Sequence, residues 1–234
     1  MIQRPNPYAS PSGLGVKPAA ALSSAFLTQA FAWMFLGLLV TAGVTFFVQG
    51  NQRLLDFASS LILPIIIGQL ILVVAISAAI NKISATIALG LFFIYAASVG
   101  LTVGLIVSSY TDASVATAFL SASAMFGAAA IYGATTKRSL AGMGGILFMG
   151  LIGIIVASVI NIFVGSSALS FIISIGGILL FTALTAYDVQ RIQNGDLAAM
   201  TGSMEKAAVL GALHLYLNFI NLFLFFLRLF GSRD

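Results

Sequence analysis

The sequence predicts an all-α, polytopic integral membrane protein with seven transmembrane helices. Of its 234 residues, 60% are hydrophobic and 7% charged, a balance that the wetted surface of a soluble domain cannot sustain. The apolar residues gather into runs near or above the ~20 residues an α-helix needs to cross a hydrocarbon core about 30 Å thick. A closed barrel, the other spanning architecture, needs polar and apolar residues in alternation, which runs such as 70–76 (LILVVAI) and 223–227 (FLFFL) do not show.

Residues 1–23 hold Pro5, Pro7, Pro11 and Gly13 and no apolar core before Lys17, so they predict a disordered N-terminal tail rather than a signal peptide. The first apolar run, 24–48, exceeds a signal h-region and stays as the first span. The second, 57–80, carries Pro64 near its start, where a missing amide donor costs little; this reads as a start signal, not a gate. In the third, 85–109, Ala96, Gly100 and Gly104 form a ladder of small residues on one face. Such a ladder predicts close helix packing, within the bundle or between subunits, the former being its commoner use. The fourth span is 114–134.

From Ser139 to Tyr187 there is no charge, about twice the length of one span; Gly165, Ser166 and Ser167 offer the break between a fifth span, 141–164, and a sixth, 168–189. Gly142, Gly144, Gly145, Gly150 and Gly153 predict crowding along the fifth. The seventh span is 207–230, so the transmembrane domain covers 24–230 and leaves 231–234 as a short C-terminal tail.

Charge sets the orientation. Arg4, Lys17, Lys82, Lys137, Arg138, Arg191 and Lys206 fall on the N-terminal side, and Arg53, Arg228 and Arg233 on the other. The positive-inside rule places the N-terminus in the cytoplasm and, after an odd number of spans, the C-terminus outside.

Several function classes drop out. There is no cysteine, hence no disulfide or thiolate site, and one histidine cannot build a His-rich zinc centre. The cations sit singly or in pairs between apolar runs, forming no stripe that could track phosphates, so nucleic acid is not a partner; the lipid bilayer is. No Gly-x-Ser-x-Gly elbow or metalloprotease motif is present, and no complete catalytic constellation predicts an enzyme. Tyr187-Asp188 resembles half of the presenilin-type aspartyl signature, but the Gly-x-Gly-Asp half is missing.

A charge at membrane depth costs about 3 kcal/mol on insertion scales and needs a partner or a purpose. Asp188, about one turn inside the cytoplasmic end of the sixth span, is either an interfacial acid paired with Arg191, Lys82 or Arg138, or a functional group. His214 and Asn218 are four residues apart on the seventh span and share a face, with Asn221 further on. Asn218 can donate its amide to Asp188 while the imidazole titrates near neutral pH, which makes either a proton-responsive cluster or plain interhelical bonding. Gln69 and Asn161 are further polar residues inside spans, of a kind used more often as structural glue than as ligands, although Gln69 and Asn221 are also candidates to line a polar pore.

The strings 184–192 (LTAYDVQRI), 216–223 (YLNFINLF) and 227–231 (LRLFG) resemble the Bax inhibitor-1 family, also called the transmembrane Bax inhibitor motif family. The likeness spreads over nearly the whole chain from Gln29, through 31–39 and 100–102 (GLT), and fits the length and short loops of the family's bacterial branch. The resemblance implies a central seventh helix surrounded by the other six, in a bacterial inner membrane, and a pH-sensitive calcium leak controlled by two aspartates. Asp188 matches the aspartate of the sixth helix; Asn218 stands where its partner aspartate should be. A proton shared by two carboxylates cannot operate with Asn218, so the pH response should weaken or move. Gln69 falls where the family often has an acid, and a single aspartate is a poor calcium site: no stable metal site or cofactor is expected, with calcium at most a weakly held transported ion at Asp188. The alternative the resemblance carries is a non-transporting interaction protein that modulates a membrane-anchored ATP-dependent protease or a stress response, with the N-terminal tail as its handle. Oligomeric state is not legible.

Overall fold

The computed structural model describes residues 20–232. The greater part of the expected tail, with Arg4 and Lys17, and also Arg233 lie outside the described residues. Within them the chain forms α1 (Ala20–Gln49), α2 (Gln52–Ser60), α3 (Ile62–Ala79), α4 (Ala85–Val107), α5 (Asp112–Thr135), α6 (Gly144–Val164), α7 (Ser167–Gln193), α8 (Asp196–Thr201) and α9 (Met204–Phe230), with a single 3₁₀ turn, Ala141–Met143, before α6. There is no strand among these residues. Seven helices, all but α2 and α8, are long and apolar enough to cross a membrane, matching the seven spans expected.

The boundaries follow from caps. Ser84, Thr111, Ser166 and Ser203 accept a backbone N–H from the first turns of α4, α5, α7 and α9, satisfying donors that a helix start leaves unpaired. Gly165 takes φ 64° to close α6, and the Asn161 side chain seals that corner by donating to Ser170 Oγ and accepting from the Ser166 N–H. Asn161 is therefore structural, as its class predicts.

Two elements differ from the sequence reading. The stretch 57–80 is not one helix: residues 57–60 close α2, which Asn51 caps and a Gln52–Asp56 hydrogen bond braces, and the span starts after Leu61. Pro64 is the third residue of α3, inside the first turn, where no intrahelical N–H bond is lost. Beyond the sixth span, α7 continues to Gln193 and α8 follows, framed by Gly195 at φ 79° and Gly202 at φ 64°. Asp188 is consequently five residues, about one and a half turns, from the end of its helix.

α9 is the axis of the bundle. It is 72% buried over its most apolar stretch, against 6% for α3 and for α6. α1, α4, α5 and α7 form its immediate ring and α8 packs near its start, while α3 lies against α4, and α6 against α7. The expected central seventh helix is thus present, though its shell is chiefly four spans, with α3 and α6 standing outside it. Leu63, Ile67, Leu70 and Val74 of α3, and Ile146, Phe148 and Met149 of α6, are exposed apolar side chains of the kind that lipid accommodates.

Small residues set the spacing. A Cβ on Gly100 would fall 2.6 Å from Val44 Cβ and 2.9 Å from the Thr41 carbonyl oxygen, and one on Gly104 3.0 Å from Val48, so the ladder is an internal seam between α4 and α1. Thr45 donates to the Gly100 carbonyl across the same seam at 3.1 Å. On α6 the expected crowding holds for Gly144, against the Tyr187 hydroxyl, and Gly150, against Leu180; Gly142, Gly145 and Gly153 face open space. Gly142 belongs to the 3₁₀ turn before α6, and Gly145 and Gly153 lie off the stripe that meets α7, which is why glycine count alone overstated the contact.

Candidate functional site

Asp188 is buried, with 7% of its surface exposed, and its carboxylate reaches from α7 to the central helix. Asn218 Nδ2 donates to Asp188 Oδ2 at 2.8 Å, and His214 Nδ1 lies 3.5 Å from Oδ1, so each oxygen meets one residue of α9. The four-residue spacing that put His214 and Asn218 on one face is what lets a single carboxylate engage both. The Asn218 amide is oriented by its neighbour, because a carboxylate only accepts. Asn218 is 4% exposed, whereas the His214 side chain keeps 27% of its surface and looks toward the rim.

The cations expected as partners of Asp188 are elsewhere. Arg191 stacks its guanidinium 5.3 Å from the centre of the Tyr187 ring, one turn along on α7. Lys82 and Arg138 are exposed, and the ion pair formed among the described residues at Asp188 is with His214. A guanidinium or ammonium seeks water at a helix end, which outweighs pairing with a buried acid inside the bundle.

Gln69 and Asn221 do not join this cluster. Gln69 donates to Thr102 Oγ1 at 3.4 Å between α3 and α4, and Asn221 donates to the Leu217 carbonyl of its own helix at 2.8 Å. Gln69 thus bridges two helices and Asn221 bonds its own backbone, and neither is hydrogen-bonded to Asp188.

Two neighbours of the site escaped the sequence reading. Gln190 accepts from the Leu140 N–H at 2.7 Å and donates to the Arg138 carbonyl at 2.9 Å, pinning the loop after α5 to α7 two residues from Asp188. Nothing in its place at a polar, basic helix end signals a partner 50 residues away. Deeper in, Tyr216 is fully buried, and its hydroxyl meets Thr41 Oγ1 at 2.6 Å; Thr41 in turn reaches the Ala96 carbonyl at 2.9 Å. This node ties α1, α4 and α9 together two residues from both His214 and Asn218. Tyr in an apolar run is ordinarily read as bulk, and only the partner 175 residues away reveals its polar role.

A family model described as "Inhibitor of apoptosis-promoting Bax1" matches residues 23–234. The chain belongs to the Bax inhibitor-1 family. It is 42% identical over 224 residues to the inner membrane protein YbhL of Escherichia coli, covering 93% of this chain and 95% of that one. A Deinococcus radiodurans protein is 42% identical over 210 residues, 89% of this chain and 91% of its own, and one from Borreliella burgdorferi is 42% identical over 222 residues, 93% and 96% respectively. This member of the Bax inhibitor-1 family is therefore a polytopic membrane protein whose matched region includes both halves of the Asp188–Asn218 contact.

Proposed function

We propose that the protein is a non-catalytic cation leak of an inner membrane, with calcium as the transported ion and the Asp188–His214–Asn218 cluster as its latch at the cytoplasmic end. The observation that carries the reading is the buried carboxylate of α7 held by two side chains of the central helix, at 2.8 Å and 3.5 Å. A buried anion that, among the described residues, meets a neutral amide and an imidazole is sensitive to its partners, because losing either leaves charge poorly compensated. The orientation, N-terminus in the cytoplasm and C-terminus outside, follows the positive-inside reading, and the inner membrane location follows the printed name of YbhL.

The latch works through the sign of two charges. Where the imidazolium and the carboxylate coexist they attract, drawing α9 onto α7 and closing the path; losing the imidazole proton at higher pH, or protonating the carboxylate at lower pH, removes that attraction. His214 is the titratable group that α9 presents to Asp188, while Tyr187 and Arg191 on α7 engage each other. Asp188, Asn218 and His214 cannot build a tight calcium cage, which needs six to eight hard oxygens, so the ion is cargo held weakly on passage.

Calcium flux into proteoliposomes, measured from mildly acidic to mildly alkaline pH, tests the latch. Asp188→Ala should raise flux and flatten its pH profile, and Asn218→Asp should steepen the profile. Equal flux and equal profiles in the wild type and Asp188→Ala would remove Asp188 from the mechanism.

A further inference from the structure

At the opposite end of α7 from Asp188, roughly 27 Å away along the helix, a cavity of about 550 Å³ opens between α6, α7 and the end of α9. Its lining is unusual for a chain so poor in polar residues: Ser158 and Asn161 from α6, Ser167, Ser170 and Ser174 from α7, and Arg228 from the last turn of α9. Among the described residues no acidic side chain lines it. Asn161, Ser170 and Ser174 are already bonded to one another or to backbone, which fixes the wall. Arg228 and the hydroxyls of Ser158 and Ser167, by contrast, make no hydrogen bond or ion pair among the described residues. One permanent cation and two free hydroxyls on a prearranged wall form a donor set without a matching acceptor.

We propose that this cavity is a phosphate-binding site, with the Arg228 guanidinium pairing with the phosphate oxygens and Ser158 and Ser167 donating to them. A guanidinium presents its N–H groups in the fork that phosphate oxygens match, and the volume exceeds that of a bare phosphate, leaving room for the substituents of a phosphodiester. The mouth is bordered by Ile162 and Phe171, 77% and 55% exposed on the faces of α6 and α7 that meet lipid. Polar donors inside with apolar side chains at the edge match a phospholipid whose headgroup enters the cavity while its acyl chains stay in the bilayer; free phosphate shares the same donors and lacks the chains. The site is independent of the latch, since none of its residues touches Asp188, His214 or Asn218.

The full chain, purified in a phosphate-free, delipidated detergent solution, is titrated with phosphatidylglycerol, with diacylglycerol of the same acyl chains, and with inorganic phosphate, and bound ligand is counted by native mass spectrometry. Phosphatidylglycerol should bind and diacylglycerol should not. Arg228→Gln should weaken binding roughly tenfold or more, as expected for loss of a charge-assisted pair, and Arg228→Lys should recover part of it. The double variant Ser158→Ala/Ser167→Ala should weaken it several-fold, while Arg53→Gln, at the same end of the bundle but outside the cavity, should leave it unchanged. Inorganic phosphate competing for the phosphatidylglycerol site would assign the ligand to free phosphate as well as lipid; failure to compete would assign it to lipid alone. Equal binding of diacylglycerol and phosphatidylglycerol, full binding by Arg228→Gln, or an equal loss in Arg53→Gln would each overturn the proposal.

Discussion

Asn218 decides what kind of contact Asp188 makes. A side-chain amide can donate to a carboxylate at any pH at which that carboxylate is ionised, so the 2.8 Å bond needs no shared proton. Removing the donor leaves a buried acceptor facing a shape-matched apolar side chain: Asn218→Leu should destabilise the protein by about 1–3 kcal/mol, the cost of an unsatisfied buried polar group, read as a lower midpoint in detergent unfolding at neutral pH. Asn218→Asp should behave differently. Two carboxylates at this distance can coexist only by sharing a proton, so the folded state of the variant binds more protons than the unfolded chain; its stability should rise as pH falls and decline as pH rises, relative to the parent. An unfolding midpoint of Asn218→Asp that tracks the parent at every pH would show that the two side chains are not in contact in the membrane protein. This contact was legible beforehand because a charge inside an apolar run demands a partner, and His214 with Asn218 offered one face at helical spacing. The choice of His214 over Arg191, Lys82 and Arg138 was not, since chain proximity favours Arg191 and only the placement of its side chain in the fold shows it stacked on Tyr187.

Helices in this bundle are spaced by particular missing side chains. Gly133 of α5 stands so close to α7 that an added Cβ would collide with the Ala186 carbonyl oxygen, a backbone atom that cannot rotate aside. Ala186 is two residues from Asp188, which makes this seam the floor under the candidate latch. Gly133→Ala should therefore push α5 and α7 apart at a cost of about 1–3 kcal/mol, typical of overpacking. Gly153→Ala, with nothing within 4 Å, supplies the control and should be neutral or slightly stabilising through helix propensity. Comparing the two unfolding midpoints checks the claim, and equal effects would mean that the seam is looser than its geometry. Sequence gave no way to rank these positions: a glycine looks the same whether it faces lipid or a neighbouring backbone, so the Ala96, Gly100 and Gly104 ladder stood out by its spacing while Gly133 did not. The break at Leu61 was hidden for a related reason. Apolar residues run through it on both sides, and Pro64 marked the first turn of α3 without saying which residue preceded it. The α8 turn carried its own punctuation in Gly195 and Gly202, but six residues are too few for periodicity to declare a helix.

The span count was the most legible property, because bilayer thickness imposes a length that composition alone can test. The identity of the axis was not. α9 is among the less uniformly apolar of the seven spans, yet it is the most buried, since its His214, Asn218 and Tyr216 have partners in α7 and α1 that lipid could not provide. α3 and α6, almost wholly apolar, stand where lipid can solvate them. The arrangement also assigns each connection to one end of the bundle. Lys82, Lys137, Arg138, Arg191 and Lys206 share the end where α3, α5 and α7 finish, and Arg53 and Arg228 the end where α4 and α9 finish. Because the natural chain has no cysteine, single replacements can report this directly. Ser108→Cys, in the short turn after α4, should react with a membrane-impermeant maleimide added to intact cells whose outer barrier has been permeabilised; Asn194→Cys, after α7, should react only once the inner membrane is opened. Both positions lie outside the spans and neither supports the helix packing described above, so labelling reads topology rather than folding. The reverse labelling pattern would put Asp188 at the external end and require any pH response to read the medium instead of the cytoplasm.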